Sequence, residues 1–317
     1  MGEVYRATDT ILKRQVAIKV LPEVVAADAE RIARFQREAE VLASLNHPRI
    51  ATIYGVEKSD RVIALVMELV EGPTLAERLA KGPLPVDEAL QIAAQIAEAL
   101  EAAYEHRVIH RDLKPSNIKL RSDNTVKVLD FGLAKTLEAA PSESASVTHS
   151  PTITSAMTRP GIVLGTAAYM APEQARGDVV DQRADIWSFG CVLYEMLTGR
   201  MAFGARTVTE TIAKILEGHA DLNALPPSTP PAIRRLVRRC LERPVRTRLQ
   251  HIGDALADIV DVRVAEAPTQ AEDGIAKPVR GRAIIWAGSG FCPPATSRIR
   301  TNCWKTMKGS WTSRLIV

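Results

Sequence analysis

The chain has 317 residues and an apolar fraction of 46%, enough for one large two-lobed domain or two ordinary ones. Its 25% charged residues and net charge of +4 describe a diffusely positive surface and give no argument for a nucleic-acid partner. No CxxC pair joins Cys191, Cys240, Cys292 and Cys303, which argues against zinc ligation or a disulfide framework and makes a reducing cytosol the expected setting.

In chain order, Met1 runs straight into GEVYRATDT, without the pattern of a signal peptide. Residues 1–72 read as a small lobe. The stretch 16–21 (VAIKVL) is a short β-branched strand. Asp28 is placed to cap a helix reaching about Ser44, with Ile32, Phe35, Ala39 and Leu42 on one face. Residues 62–69 form a second apolar strand, and Gly72-Pro73 break the pattern.

From Leu75 onward helices dominate. One, capped by Asp87, carries Leu90, Ile92, Ala93, Ile96, Leu100 and Ala103. A second runs over about 183–197 and a third over 231–241. The intervening stretch 137–160 is rich in Ser, Thr, Ala and Pro, a composition that buries too little surface to order itself. The composition changes again near Ala265, and 263–317 reads as a disordered tail without helical or strand periodicity. Its longest apolar patch, 283–291 (AIIWAGSGF), falls short of the roughly 18 residues of a membrane helix.

The chemistry concentrates in HRDLKPSN, followed by DFG after the apolar run 126–129, which reads as a strand. Together these place His110, Arg111, Asp112, Lys114, Asn117 and Asp130 close in the chain. Phosphoryl transfer needs these parts: a carboxylate to orient a hydroxyl, a lysine to hold a phosphate and two hard oxygen ligands for Mg²⁺. Upstream, Lys19 lies on the VAIKV strand. Downstream stand Gly165-Thr166, MAPE (Glu173), DIWSFG (Asp185) and Arg248.

This constellation resembles the eukaryotic-type (Hanks-type) bacterial serine/threonine protein kinases over about residues 2–262. The resemblance implies an α+β, two-lobed fold: a small antiparallel-sheet lobe with one long helix (1–72) and a mainly helical lobe (73–262), with 130–173 as the activation segment. It implies ATP and Mg²⁺ as cofactors, with Asn117 and Asp130 as metal ligands. Lys19 is expected to grip the α and β phosphates and to pair with Glu38, with Glu40 as the competitor. Asp112 orients the substrate hydroxyl, Lys114 neutralises the migrating phosphoryl group and Thr166 bonds both.

The base is expected to sit against Val4 and Ala17 above and the methylene stem of Lys119 below, with Met67 as gatekeeper and 68–70, from Glu68 to Val70, as the hinge. Plain core packing is the other reading of Val4 and Ala17. His110 is expected to stack on Phe131, Glu173 to pair with Arg248, and Asp185 to anchor the catalytic loop. The implied partners are proteins carrying Ser or Thr, with self-association for autophosphorylation. Thr158 matches the autophosphorylated position, and Arg111 is the residue such a phosphate would meet.

Two departures stand beside the resemblance. Of the family's GxGxxGxV phosphate loop only Gly2 is present, and the strand before it is missing. Met1 then reads either as an internal methionine or as the start of a truncated, kinase-like fragment acting by binding. At the other end, relatives often continue through a membrane helix into a sensor domain, where this chain carries an unpatterned tail.

Overall fold

The computed structural model describes residues 3–21, 29–59, 62–131, 167–266 and 313–315. β1 (Val4–Asp9) and β2 (Arg14–Val20) form a hairpin in which Val4 faces Lys19 and Ala17 faces Arg6. After helix α1 (Ala29–Ser44) come β3 (Ile53–Ser59) and β4 (Val62–Glu68). Ala17 pairs with Met67 across β2 and β4. With a last strand, β7 (Ser313–Leu315), the antiparallel sheet has the order β3-β4-β2-β1-β7.

One face of α1 packs on this sheet. Phe35, Ala39 and Leu42 are buried and Ile32 is half-buried, the stripe expected of a 3.6-residue period. The expected cap, Asp28, lies outside the described residues. Val16, Leu65 and Phe35 are fully enclosed. β2 and β4 form the middle of the sheet because their β-branched residues tolerate burial on both faces.

The remaining strand, β7 (Ser313–Leu315), pairs with the outer edge of β1, Tyr5 opposite Leu315 and Ala7 opposite Ser313. Three residues of the stretch read as a disordered tail thus pair as a strand. β1 presents an edge row of N–H and C=O groups that no other described strand covers, and a short extended segment satisfies it.

The large lobe begins with α2 (Leu75–Leu79), capped by Thr74 in a capping box with Glu77. α3 (Val86–Glu105) follows, and here the sequence reading needs correction. Pro85 occupies the N-cap and Asp87 lies in the first turn without capping. Proline before the helix fixes φ and removes an N–H that would have no acceptor, while Asp87 acts through the helix dipole.

A two-stranded hairpin, β5 (Ile118–Leu120) and β6 (Val126–Val128), precedes Asp130. Then come α4 (Pro172–Arg176), α5 (Gln182–Thr198), α6 (Val208–Glu217), α7 (Pro231–Cys240) and α8 (Ile252–Glu266). α8 continues past the expected domain end at 262. α5 is buried on all sides from Ala184 to Leu197, as befits the central helix of a lobe, and packs against α3 and α7. Cys191 and Cys240 are free and buried. None of the described helices is long and apolar enough to cross a membrane.

A buried ion pair of this lobe joins α4 to the segment after α7. Arg248 donates to Glu173 through both terminal nitrogens, at 2.6 and 2.9 Å. Its remaining hydrogens reach the carbonyls of Glu242, Arg183 and Arg243. A buried charge pair adds little net stability, but removing one partner strands the other. Arg248→Ala leaves the Glu173 carboxylate buried without a counter-charge. We expect a loss of about 3–5 kcal/mol in urea unfolding; a loss under about 1 kcal/mol contradicts this account of the pair.

Candidate active site

The catalytic loop follows α3 and is held from below by one carboxylate. Asp185, fully buried near the start of α5, accepts the backbone N–H groups of His110 and Arg111, both at 2.7 Å. Tyr104 of α3 donates its hydroxyl to the same carboxylate at 3.2 Å. These bonds hold Arg111 at φ 65°, a left-handed conformation that disfavours a side chain. Burial raises the Asp185 carboxyl above its ordinary value, opposed by the two backbone N–H bonds and by the Tyr104 hydroxyl. Burial, and next the Asp185 charge, push the Tyr104 hydroxyl up as well.

His110 links the loop to the strand before Asp130. Its Nδ1 accepts the N–H of Asp112 at 3.2 Å, which requires the proton to sit on Nε2. Nε2 then donates to the Leu129 carbonyl at 2.9 Å. The ring lies 4.6 Å from that of Phe131, tilted by 52°. Arg111 offers its carbonyl to Gln174 of α4 at 2.9 Å.

Two expected residues, Lys114 and Asn117, converge on Asp112. Its Oδ2 is 2.8 Å from Lys114 Nζ and 3.2 Å from Asn117 Nδ2. Asn117 Nδ2 also donates to the Asp112 carbonyl at 2.8 Å. The Asn117 amide nitrogen is thus committed, and its oxygen has no hydrogen-bond partner among the described residues. Asp130 adopts φ 60°, and its Oδ1 lies 2.9 Å from Lys19 Nζ.

That last pair differs from expectation: Lys19 pairs with Asp130 rather than Glu38. Glu38 is half-buried on α1 and makes other interactions. Asp130 brings a partly enclosed carboxylate to within hydrogen-bond reach of Lys19, and the nearer anion takes the ammonium.

The upper wall is built by the sheet. Val4 is half-buried, Ala17 and Met67 are buried, and Met67 lines a small cavity with Leu42, Ile50, Ala51, Ile53, Leu65, Asp130 and Phe131. Val70 is buried just beyond β4. Lys119 on β5 donates its amine to the Gly72 carbonyl at 2.8 Å. Gly2, Thr158, Gly165 and Thr166 lie outside the described residues.

Sequence reasoning missed Lys127. It lies in the run 126–129, which read as apolar, and is itself buried between Val126 and Val128. The signal was a lysine inside a strand short enough to be wholly enclosed, where a cation needs a partner.

The described residues hold no cluster of three or more His, Cys, Asp or Glu side chains of the kind that makes an all-protein metal cage. Asp130 and Asn117 supply hard oxygen atoms of the type Mg²⁺ takes when phosphates complete its coordination, so the residues fit that ion.

A second buried carboxylate lies further along α5. Tyr169, close before α4, donates its hydroxyl to Glu195 of α5 at 2.5 Å. Burial raises the Glu195 carboxyl above its ordinary 4.5, and the bond from Tyr169 opposes the shift. A carboxyl raised in the folded state binds its proton more tightly there than when unfolded. Its contribution to stability is therefore present at low pH and lost as pH rises from 4.5 toward its folded value. Glu195→Gln removes that slope. Urea unfolding across this range is expected to favour the variant progressively as pH rises; parallel curves contradict it.

The comparisons with known proteins agree with this architecture. The family description "Protein kinase domain" matches residues 1–258. The serine/threonine-protein kinase PknB of Mycobacterium leprae is 36% identical over 278 residues, covering 84% of this chain and 42% of its own length. The serine/threonine-protein kinase PrkC of Bacillus subtilis is 38% identical over 261 residues, covering 82% and 38%. A probable serine/threonine-protein kinase of Clostridium acetobutylicum is 38% identical over 262 residues, with the same coverage. The chain spans about two fifths of the length of these relatives. Sheet lobe, helical lobe and the loop between them, with these matches, identify the chain as a member of the bacterial Hanks-type branch of the protein kinase domain family.

Proposed function

We propose that this chain transfers the γ-phosphoryl group of Mg-ATP to Ser and Thr hydroxyls of proteins. The observation that carries the reading is the convergence of Asp112, Lys114 and Asn117, with Asp130 and Lys19 paired beside them. Phosphoryl transfer asks for positioning and charge compensation more than for covalent chemistry.

Asp112 orients the attacking hydroxyl and takes its proton late, as the new P–O bond forms and the bond to the leaving diphosphate breaks. Its carboxylate is already fixed by Lys114 and Asn117, so little reorganisation is needed. Lys114 offsets the charge moving onto the transferred group. Lys19 steadies the α and β phosphates. Asn117 and Asp130 would hold Mg²⁺, which when bound shields the phosphate oxygens and offsets charge on the leaving group.

Val4, Ala17, Met67 and the stem of Lys119 form the walls around the base, and the backbone of 68–70 supplies its hydrogen bonds. Gly2 and Thr166 complete the phosphate and acceptor ends of the same scheme. The domain is assigned to residues 1–262. Thr158 is the proposed site of autophosphorylation, with Arg111 receiving the phosphate and a second copy of the chain acting as the enzyme.

The test is transfer of labelled phosphate from ATP to a Ser/Thr substrate, with Thr158 followed by mass spectrometry. The wild-type protein is expected to transfer label and to carry phosphate on Thr158. Asp112→Asn is expected to lose at least about a hundredfold in rate. No transfer, with no rise in melting temperature on adding Mg-ATP, overturns the reading in favour of a kinase-like binding module.

A further inference from the structure

The β5–β6 hairpin carries two lysines directly opposite one another, Lys119 and Lys127. Directly paired residues project from the same face of a hairpin. Both amines reach the segment 68–72 that joins the lobes, but at opposite ends of it.

At the entry end, Lys127 is buried at 7% exposure, where an ammonium needs compensation. Nζ donates to Glu68 Oε2 at 2.8 Å and to the Ile50 carbonyl at 3.0 Å. Glu68 is held from a second direction by reciprocal bonds with Thr52. Its N–H donates to the Thr52 carbonyl at 2.8 Å, and its Oε2 accepts the Thr52 N–H at 3.2 Å. The same region is tied to β6 through Ala51 N–H to the Val128 carbonyl and Val128 N–H to the Arg49 carbonyl.

At the exit end, Lys119 donates to the Gly72 carbonyl at 2.8 Å. Gly72 has φ +108°, and a Cβ there would lie 2.1 Å from the Leu120 carbonyl oxygen. Only glycine allows the connecting backbone so close to β5. Leu120 N–H then bonds the Pro73 carbonyl at 2.9 Å, and Thr74 bridges to Lys119.

We propose that Lys127 and Lys119 are positioning residues that together clamp the hinge: two ammonium groups from one hairpin face fix Glu68 and Gly72, and so place the intervening backbone that receives the nucleotide base. The inference rests on the kinase reading above. A lysine that merely neutralises a buried carboxylate would act on stability alone. A clamp acts on nucleotide affinity, because among the described residues the backbone of 69–71 makes no hydrogen bond of its own and takes its course from these ends. It also sets the approach of the base relative to Asn117, which immediately precedes β5.

The test is titration calorimetry of the whole chain with Mg-ATP, beside steady-state kinetics in ATP. Lys119→Met keeps the apolar stem and removes the amine. It is expected to weaken Mg-ATP binding about threefold, and Lys127→Met about tenfold or more. In both, KM for ATP rises while kcat moves less than about twofold. Lys127→Met with Glu68→Met removes both charges from the buried site. It is expected to restore the melting temperature but not the affinity, which separates positioning from charge neutralisation. Lys119→Met, at the more exposed end, tests the clamp even where a Lys127 variant folds poorly. A wild-type chain that binds no Mg-ATP overturns the kinase reading, and the clamp with it. Wild-type binding matched within about twofold by both single variants overturns the clamp alone.

Discussion

The Asp185 carboxylate is the interaction on which the rest of the active site depends. It lies in the interior of the large lobe, where an ionised group is costly unless hydrogen bonds surround it. The bonds it accepts come from two successive backbone amides of the catalytic loop and from a tyrosine of α3. They offset the cost of a left-handed Arg111 and turn the chain so that Asp112 leaves the loop toward Lys114 and Asn117. From there the order passes through His110, whose two ring nitrogens bond Asp112 N–H and the Leu129 carbonyl. It reaches Asp130 by way of Leu129, whose N–H bonds the Asn117 carbonyl. A strained backbone thus persists because buried groups on α3 and α5 over-determine it.

Much of the site was legible because its parts lie close in the chain. HRDLKPSN carries Asp112, Lys114 and Asn117 within one loop and a short 3-10 turn, so spacing alone brings them together. The pairing of Glu173 with Arg248 joins residues far apart, and it was reachable only through a family resemblance. The partner of Lys19 was not legible. Glu38 and Asp130 both lie far from it in the chain, and the choice between them depends on how α1 and the DFG turn are set in space. Motif text carries no such information.

The fold shows the same division. The long helices were readable from their 3.6-residue stripes, as in the buried face of α1. β1, β3 and β5 were not, because short or half-exposed strands leave little periodic signal. Lys127 hid inside a run that looked apolar, since a strand enclosed on both faces has no alternation to interrupt. Asp87 has the chemistry of a cap, but Pro85 before it had already set the start of α3. β7 answers to a vacant edge on β1, a tertiary fact absent from its own composition.

Amide hydrogen exchange at His110 and Arg111 tests the role of Asp185 most directly. Asp185→Asn keeps the shape of the side chain but offers one acceptor in place of a carboxylate and turns a donor toward one of the amides. Hydrogen bonds to a charged group contribute about 1.5–3 kcal/mol, or roughly ten- to hundredfold in protection. The account predicts a loss of that size at one or both of these amides, while the interior of α5 stays protected. Unchanged protection at both amides in a folded Asp185→Asn protein would contradict it.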